Sequence, residues 1–388
     1  VATSPDGQWI TTASADGRVL VWSARHRQAP TYELLAHRGA VTQVNYLQDG
    51  QVVMSLGVDG TVRRWELPQV PRFEQHDNWV ADMDLSRDGT WLATASQDGR
   101  AFIIDPHDLS KPPAATVSTD APLRAVLLDP TDPHRVLTLG RSDRLPKLWS
   151  WGADGKSERL HKYEPPPLPT NGYLVSLAIS PDGNTVAGGD TRGTVHLWDA
   201  MTGALRTGRE FRGAGQPAGS VAFDPTGQLL AATDSGGVRL WDLGTTEPPT
   251  LLPHPYATSV AFDPSGKYLV STDRDGAVNI WTRDGKLDRK QVAHGRLSSS
   301  PSFSQDGGLL AVGTADGLAQ VWDVRTGMTV MVDHHHSASV NNVRFLPGDR
   351  SRLISGSDDT TVAQFSCPAC TDPDRVIQEA IEWSGTNP

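Results

Sequence analysis

A bulky apolar residue, in most cases one of the chain's 12 tryptophans, returns at a nearly fixed interval along these 388 residues. Trp22, Trp65, Ile104, Trp149, Trp198, Trp241, Trp281, Trp322 and Phe365 each end one recurring apolar strand, and neighbours stand 39 to 49 residues apart. The segments inside each period alternate apolar and polar residues as strands do. A period near forty built from strands specifies a propeller rather than a helical solenoid.

One period shows the unit. Val41-Thr42-Gln43-Val44-Asn45-Tyr46 alternates as a strand, and Asp49-Gly50 turns the chain. Gln51 to Ser55 forms a second strand, Asp59-Gly60 a second turn, and Thr61 to Trp65 a third strand. A fourth follows a short loop. The first turn recurs as Ser4-Pro5-Asp6-Gly7, Ser180-Pro181-Asp182-Gly183 and Asp263-Pro264-Ser265-Gly266. Proline presets the second position of such a turn, and glycine takes the positive φ that closes it. The second turn recurs as Asp16-Gly17, Asp98-Gly99, Asp275-Gly276 and Asp316-Gly317. The 37 glycines and 28 prolines fit this many turns.

These residues resemble the WD-repeat family of β-propellers, whose name-giving dipeptide stands at Trp198-Asp199, Trp241-Asp242 and Trp322-Asp323. The resemblance covers residues 1 to 366. It implies an all-β chain of about nine four-stranded blades around central channels. Nine exceeds the usual four to eight of one ring. Residues 1–72 are therefore expected to be the last two repeats of a preceding propeller, the first of them truncated, and 73–366 a seven-bladed ring. A Cys-x-x-Cys tail and short helix fill 367–388. One larger ring is the alternative.

The resemblance also explains a His, a hydroxyl and an Asp that imitate a hydrolase triad. In WD-repeat blades this set, with the Trp, clips adjacent strands together and satisfies buried polar groups. A catalytic triad occurs once, whereas this set recurs in decaying copies. His294, Thr314, Asp316 and Trp322 form the most complete copy. His336, Ser357 and Asp359 form another, with Phe365 for Trp. His76, Ser96 and Asp98 form a third, with Ile104 in that place. His37, Asp59 and Trp65 have Gly57 where the hydroxyl is expected, and Arg192 stands where another blade should carry Asp.

Charge and composition exclude several functions. With 35 Lys+Arg against 45 Asp+Glu, the net charge is -10, and no basic block offers phosphate contacts, so nucleic acid is not an expected partner. No apolar run is long enough to span a bilayer, so no membrane role is expected. Two cysteines exclude a disulfide framework. Gly155-Lys156-Ser157 imitates the end of a phosphate-binding loop, but Ser150 replaces its first glycine and no helix pattern follows. Cys367 and Cys370 have the spacing of half a zinc site or a redox pair, with His334, His335 and His336 nearby. Zinc, a disulfide and two ordinary thiols all remain open. Glu164 to Pro169 reads as a stiff proline-rich loop between blades, or as a ligand for a proline-reading module. No cofactor and no metal is expected.

A recognition surface is expected on one rim. The position before each first strand holds Trp79, Tyr173 and Tyr256 in alternate blades of the ring. In WD-repeat propellers this position lies near the channel mouth, where large aromatics make contact anchors. Gln97, Thr191, Arg274 and Asp358 precede the second turn and should border the same face. No outer strand follows Phe365, and its most economical source is sequence upstream of Val1. The ending resembles that of bacterial multidomain signal-transduction ATPases, in which a Cys-x-x-Cys and a short helix follow the last blade; here these are Cys367, Cys370 and the helix from Asp374. The resemblance implies a cytoplasmic, non-enzymatic sensor of protein ligands, with oligomerisation supplied by the upstream region. A scaffold propeller is the alternative. An enzyme would need a unique acid or base in a pocket, and the repeated clips supply none.

Overall fold

The computed structural model describes residues 1–370 except 6, 8, 25–31, 36, 38, 48–51, 67–70, 169–171, 208–210, 214, 294 and 368–369. The expected helix from Asp374 and the clip residue His294 therefore lie outside the described residues. Every described segment of regular structure longer than a single turn is a β-strand. The chain divides into two compact units, Val1–Val70 and Pro71–Pro388.

The smaller unit has a four-stranded sheet of Ala2–Thr3, Trp9–Ala13, Arg18–Ser23 and Tyr32–Leu35. A sheet of three described strands, Val41–Tyr46, Val52–Gly57 and Val62–Glu66, accompanies it. Val19, Val21, Val41, Val44 and Val53 form the core between them.

The larger unit has seven four-stranded antiparallel sheets, here blades I to VII. Their inner strands are Val80–Leu85, Leu123–Leu128, Leu174–Ile179, Val221–Phe223, Ala257–Phe262, Ser302–Phe303 and Val340–Leu346. The inner strand of blade VII packs against that of blade I, so the sheets close a ring. Burial grades outward along each blade. The second strands Leu92–Ser96 and Leu309–Gly313 are buried at every residue, because both faces meet neighbouring blades. The outer strand Leu287–Val292 alternates exposed and half-buried residues. That gradient follows from β-branched and small apolar residues at the middle positions and charged ones at the edge.

The turn chemistry is local. Ser180 Oγ donates to Asp182 Oδ1 at 2.5 Å and accepts from Thr185 N at 2.9 Å, while Gly183 takes φ +71°. Ser86 with Asp88 and Ser304 with Asp306 repeat the arrangement. At the second turn Gly99 has φ +84°, and a Cβ there would stand 2.9 Å from Thr119 O.

The outer strand of blade VII corrects an expectation. It does not come from upstream of Val1. Arg72–Phe73 supplies it, pairing Val362 with Phe73 and Ala363 with Arg72. Gln364 N donates to Pro71 O at 3.0 Å, and Arg72 Nη2 donates to His335 O at 2.6 Å. Phe73 is 1% exposed and meets Phe102 of blade I edge to face, centroids 5.3 Å apart. One residue thus joins the last blade to the first. Phe73→Ala is expected to cost about 3–5 kcal/mol through the cavity it leaves. Urea denaturation followed by tryptophan fluorescence measures it, and a loss no larger than that of a surface substitution would deny the strand this closing role.

Candidate functional site

The polar clips decide whether the chain carries a catalytic triad. His336 Nδ1 lies 2.8 Å from Asp359 Oδ2, and its Nε2 lies 2.8 Å from Ser355 Oγ. His76 spans Asp98 at 3.1 Å and Thr94 Oγ1 at 2.8 Å. His37 spans Asp59 at 3.1 Å and Ser55 Oγ at 2.7 Å. A fourth clip, which the sequence did not disclose, joins His254 Nδ1 to Ser271 Oγ at 2.7 Å, with Trp281 Nε1 donating to the same hydroxyl at 2.9 Å. Asp273 lies 3.4 Å from the other ring nitrogen. The His37 and His76 side chains are fully buried, so no substrate reaches them.

The hydroxyl assignments were displaced by two residues. The partner stands ten residues before the Trp position, at Ser55, Thr94, Ser271 and Ser355. Ser96 Oγ donates instead to Asn78 O, and Ser357 Oγ to Ala338 O. Strand alternation puts both hydroxyls on one face, and only the reach of the imidazole selects the inner one. Blade VI, expected to be the most complete, has Val312 at the hydroxyl position and Trp322 buried. Asp316 is exposed and accepts from Thr314 Oγ1. In blade III the position of Arg192 is immaterial, since Asp190 Oδ2 meets His196 Nε2 at 3.0 Å. Gly188 holds the hydroxyl position there and gives room to the Trp198 ring, whose Cζ3 would lie 2.9 Å from a Cβ. Trp198 Nε1 donates to Glu164 O at 2.9 Å, so the proline-rich segment packs on blade III as a connecting loop.

The cysteines are resolved in one direction. Cys367 and Cys370 are bonded to each other and buried in the core of blades VI and VII, so the pair offers no thiolates to zinc in this structure. His335 pairs with Asp333 and His336 with Asp359. No group of three or more His, Cys, Asp or Glu able to hold a metal occurs among the described residues, and no described helix is long and apolar enough to cross a membrane.

The ring channel opens into a cavity of about 700 Å³ lined by the inner strands of blades I to VII. Its wall is polar, and many of its side chains stitch one blade to the next. Asp82 Oδ2 accepts from Val126 N at 3.0 Å and Asp84 Oδ2 from Leu128 N at 2.8 Å. Ser176 Oγ donates to Ala218 O at 2.7 Å, Ser298 Oγ to Val340 O at 2.8 Å, and Asn341 Nδ2 to Val80 O at 2.9 Å. Burial pushes the Asp84 carboxyl up, and the Asp82 carboxyl up to about 6, against the opposing attraction of Arg344.

A β-bulge stands at the second residue of five inner strands, at Ala81, Arg124, Val175, Thr258 and Asn341. Bulges bend the strand and re-aim the side chain. The rim position is held by one repeated bond: Gln97 N donates to Trp79 O, Arg141 N to Pro122 O, Thr191 N to Tyr173 O, and Asp358 N to Ser339 O. Trp79, Gln97, Tyr173, Thr191 and Asp358 are joined by this pattern, whereas Tyr256 N donates to Ser235 O and Arg274 O accepts from Leu297 N. Trp79, Gln97 and Asp358 line the channel mouth, and Trp79 is 45% exposed. Tyr173 is half-buried beside the Arg124 guanidinium, 6.0 Å from its ring centroid. Tyr256 is 78% exposed and holds φ +63°, a region tyrosine rarely adopts. Tyr256, Thr191 and the exposed Arg274 do not line the cavity. Arg141 and Arg124 do. Arg141 was missed because its turn, Arg141-Ser142-Asp143, lacks the Asp-Gly signal, and Arg124 because a bulge has no mark in the alternation.

The family model described as "WD domain, G-beta repeat" matches residues 1–23, 28–66, 68–105, 162–199, 206–242, 247–282, 286–323 and 327–366. The chain belongs to this WD-repeat family of β-propellers, and the class is one of protein-interaction and scaffold modules. Among its relatives are a periodic tryptophan protein 2 from Arabidopsis thaliana, 27% identical over 53% of this chain and 22% of that protein, and its homolog from Dictyostelium discoideum, 23% identical over 60% and 27%. The guanine nucleotide-binding protein subunit beta of Oryza sativa subsp. japonica is 25% identical over 92% of this chain and 77% of its own length. The chain thus spans about a quarter of the two periodic tryptophan proteins. These relatives are eukaryotic.

Two outcomes test the site's electrostatics. Burial alone would raise the Asp359 carboxyl. The hydrogen bond to His336, the charge of that ring and the Thr361 hydroxyl outweigh it and hold the carboxyl far below its usual range. A depressed carboxyl stabilises the fold above its unfolded value, near 4, and the contribution is lost as pH falls toward the folded value. Asp359→Ala is expected to cost about 1–3 kcal/mol at pH 7, with the deficit shrinking below pH 4. Asp316→Ala is expected to cost under about 0.5 kcal/mol. Urea midpoints at pH 7 and pH 3 check both, and equal costs would refute the register given above. Asp82 has the opposite sign: a raised carboxyl loses stability as pH rises from about 4 to about 6. Asp82→Asn keeps one acceptor oxygen for the two N–H groups that Asp82 takes, so the test is the trend: its melting temperature should compare better with wild type at pH 7 than at pH 4.

Proposed function

We propose that the chain works by non-enzymatic protein recognition at the channel mouth of the larger unit. The observation that carries this is the exposure of Trp79, which lines the mouth, with Tyr256 exposed at the aligned position of blade V. Aromatics bury large area with few rotatable bonds, which is why they dominate interface energies. The φ of Tyr256 supports the same role. Unusual backbone conformations concentrate at functional sites, and burial does not account for this one. The polar clips are committed to structure, so recognition rather than catalysis is the activity proposed. A cytoplasmic setting and a protein ligand belong to the same proposal.

At finer grain, the unit is proposed as the ligand-sensing part of a bacterial multidomain signalling or defence ATPase. Cys367 and Cys370, placed directly after the last strand as in those proteins, support it. A scaffold propeller is the second reading, favoured by the likeness to the guanine nucleotide-binding subunit over most of this chain. Reading the gene upstream of Val1 separates them: a phosphate-binding loop followed by a helical switch module favours the sensor, and its absence the scaffold.

The rim itself is tested by titrating a protein captured with the wild-type chain. Trp79→Ala combined with Tyr256→Ala is expected to weaken binding by about 2 kcal/mol or more, near thirtyfold. The melting temperature should hold, because neither side chain fills a core cavity. Unchanged binding, or a melt lowered as far as a core substitution lowers it, would remove these residues from the interface.

A further inference from the structure

Blade II is the sheet that the family matches pass over, in the gap between residues 105 and 162. It brings two arginines to the channel mouth. Arg124 sits on its bulge and Arg141 on the loop beside it. Among the described residues neither forms an ion pair. Arg141 Nη1 donates to Gln97 Oε1 at 3.1 Å. Arg124 stacks on Tyr173, and its Nε is buried without a hydrogen-bond partner. Burial, with the charge of Arg141 beside it, depresses Arg124. The remaining charges of the mouth are engaged. Arg344 faces Asp82 and Asp84, and Asp358 accepts from Asn341 Nδ2 at 2.7 Å.

A partly desolvated arginine beside a second cation, without a counter-charge, is costly to the free protein. A ligand that brings negative charge removes that cost, and the planar guanidinium fork suits a carboxylate in particular. Trp79 stands on one side of the pair, through Gln97, and Tyr173 on the other. We infer that the mouth holds an extended acidic peptide segment, with one Asp or Glu carboxylate between Arg124 and Arg141 and its neighbours on Trp79 and Tyr173. This rests on the rim-recognition reading above and names the chemistry of its partner. Two arginines on a chain of net charge -10 are too few for a polyphosphate backbone, which needs a continuous basic track. That selects a peptide over nucleic acid.

The test uses the full chain and three fluorescein-labelled octapeptides read by anisotropy. They are Gly-Ser-Asp-Glu-Leu-Asp-Ser-Gly, its amide counterpart with Asn and Gln for the acids, and the amide counterpart phosphorylated on both serines. The acidic peptide is expected to bind at least tenfold more tightly than the amide one, and more weakly at 300 mM than at 50 mM salt. Arg124→Gln and Arg141→Gln should each lower its affinity tenfold and leave the amide peptide unaffected. Arg141 is exposed, so its variant should melt as the wild type does and carry the test even if Arg124→Gln unfolds. Equal binding of acidic and amide peptides, no binding of the acidic peptide at millimolar concentration, or binding of the phosphorylated peptide alone would overturn the proposal. Trp79→Ala separates the two readings. If acidic and amide peptides bind the wild type equally and Trp79→Ala abolishes both, the rim reading stands and the carboxylate site falls. If it leaves charge-selective binding intact, the carboxylate site stands and the aromatic anchor falls.

Discussion

A ring of sheets is stable only if its last member meets its first, and here two residue pairs complete that meeting at the outer edge of the last blade. Val362 opposite Phe73 and Ala363 opposite Arg72 complete the seventh blade with residues that precede the first. Each blade buries one face against the next, so an unfilled position would expose two apolar faces and a strand edge together. Phe73 reaches past its own sheet to Phe102, and its clip neighbour His76 packs on the same ring, 4.7 Å between centroids. The covalent order of the chain is thereby converted into a cyclic order of contacts. Every later feature of the larger unit, from the channel to the rim, presupposes that conversion.

The blades are held at three depths by different chemistry. Outer strands contribute ladder bonds and charged, wet faces. The middle of each blade is apolar, and in four blades across the two units a His and a hydroxyl are bonded there, with an Asp on the other ring nitrogen in three of them. At the channel, where a repeated sheet has little apolar depth, Ser, Asn and Asp side chains reach across to the neighbouring backbone. Such bonds fix the rotation of one blade against the next, which apolar packing alone does not. The mouth is therefore a rigid frame, and residues placed on it by bulges and turns start from defined positions.

The period, the turns and the all-β class were legible because each is carried by many residues that agree. Tryptophans, Asp-Gly turns and Ser-Pro-Asp-Gly turns all point to one register. The closing strand was not legible, since two residues, Arg72 and Phe73, carry no alternation to read. The clip hydroxyls were placed on the right face and two positions off, because a strand repeats every second residue and the imidazole's reach is a three-dimensional quantity. Alignment to the turns singled out Trp79, which lines the mouth. Arg141 escaped for the converse reason: its blade had lost the turn that would have aligned it.

That loss has a structural counterpart. Blade II has Leu139 where blades I, V and VII place the clip hydroxyl, and Trp149 Nε1 donates one residue earlier, to Thr138 at 2.9 Å. Its inner strand is secured from outside, by Asp82 and Asp84 of blade I bonding Val126 and Leu128. Blade I accepts two carboxyls raised by burial in order to hold its neighbour. With its attachment supplied by the adjacent blade, blade II can depart from the repeat pattern without losing its place in the ring. A repeat architecture holds each unit mainly through its nearest neighbours, so a unit stitched from the adjacent blade is free to change its loops. The two unpaired arginines stand on that blade, which is where a recognition surface can diverge at least cost to the fold.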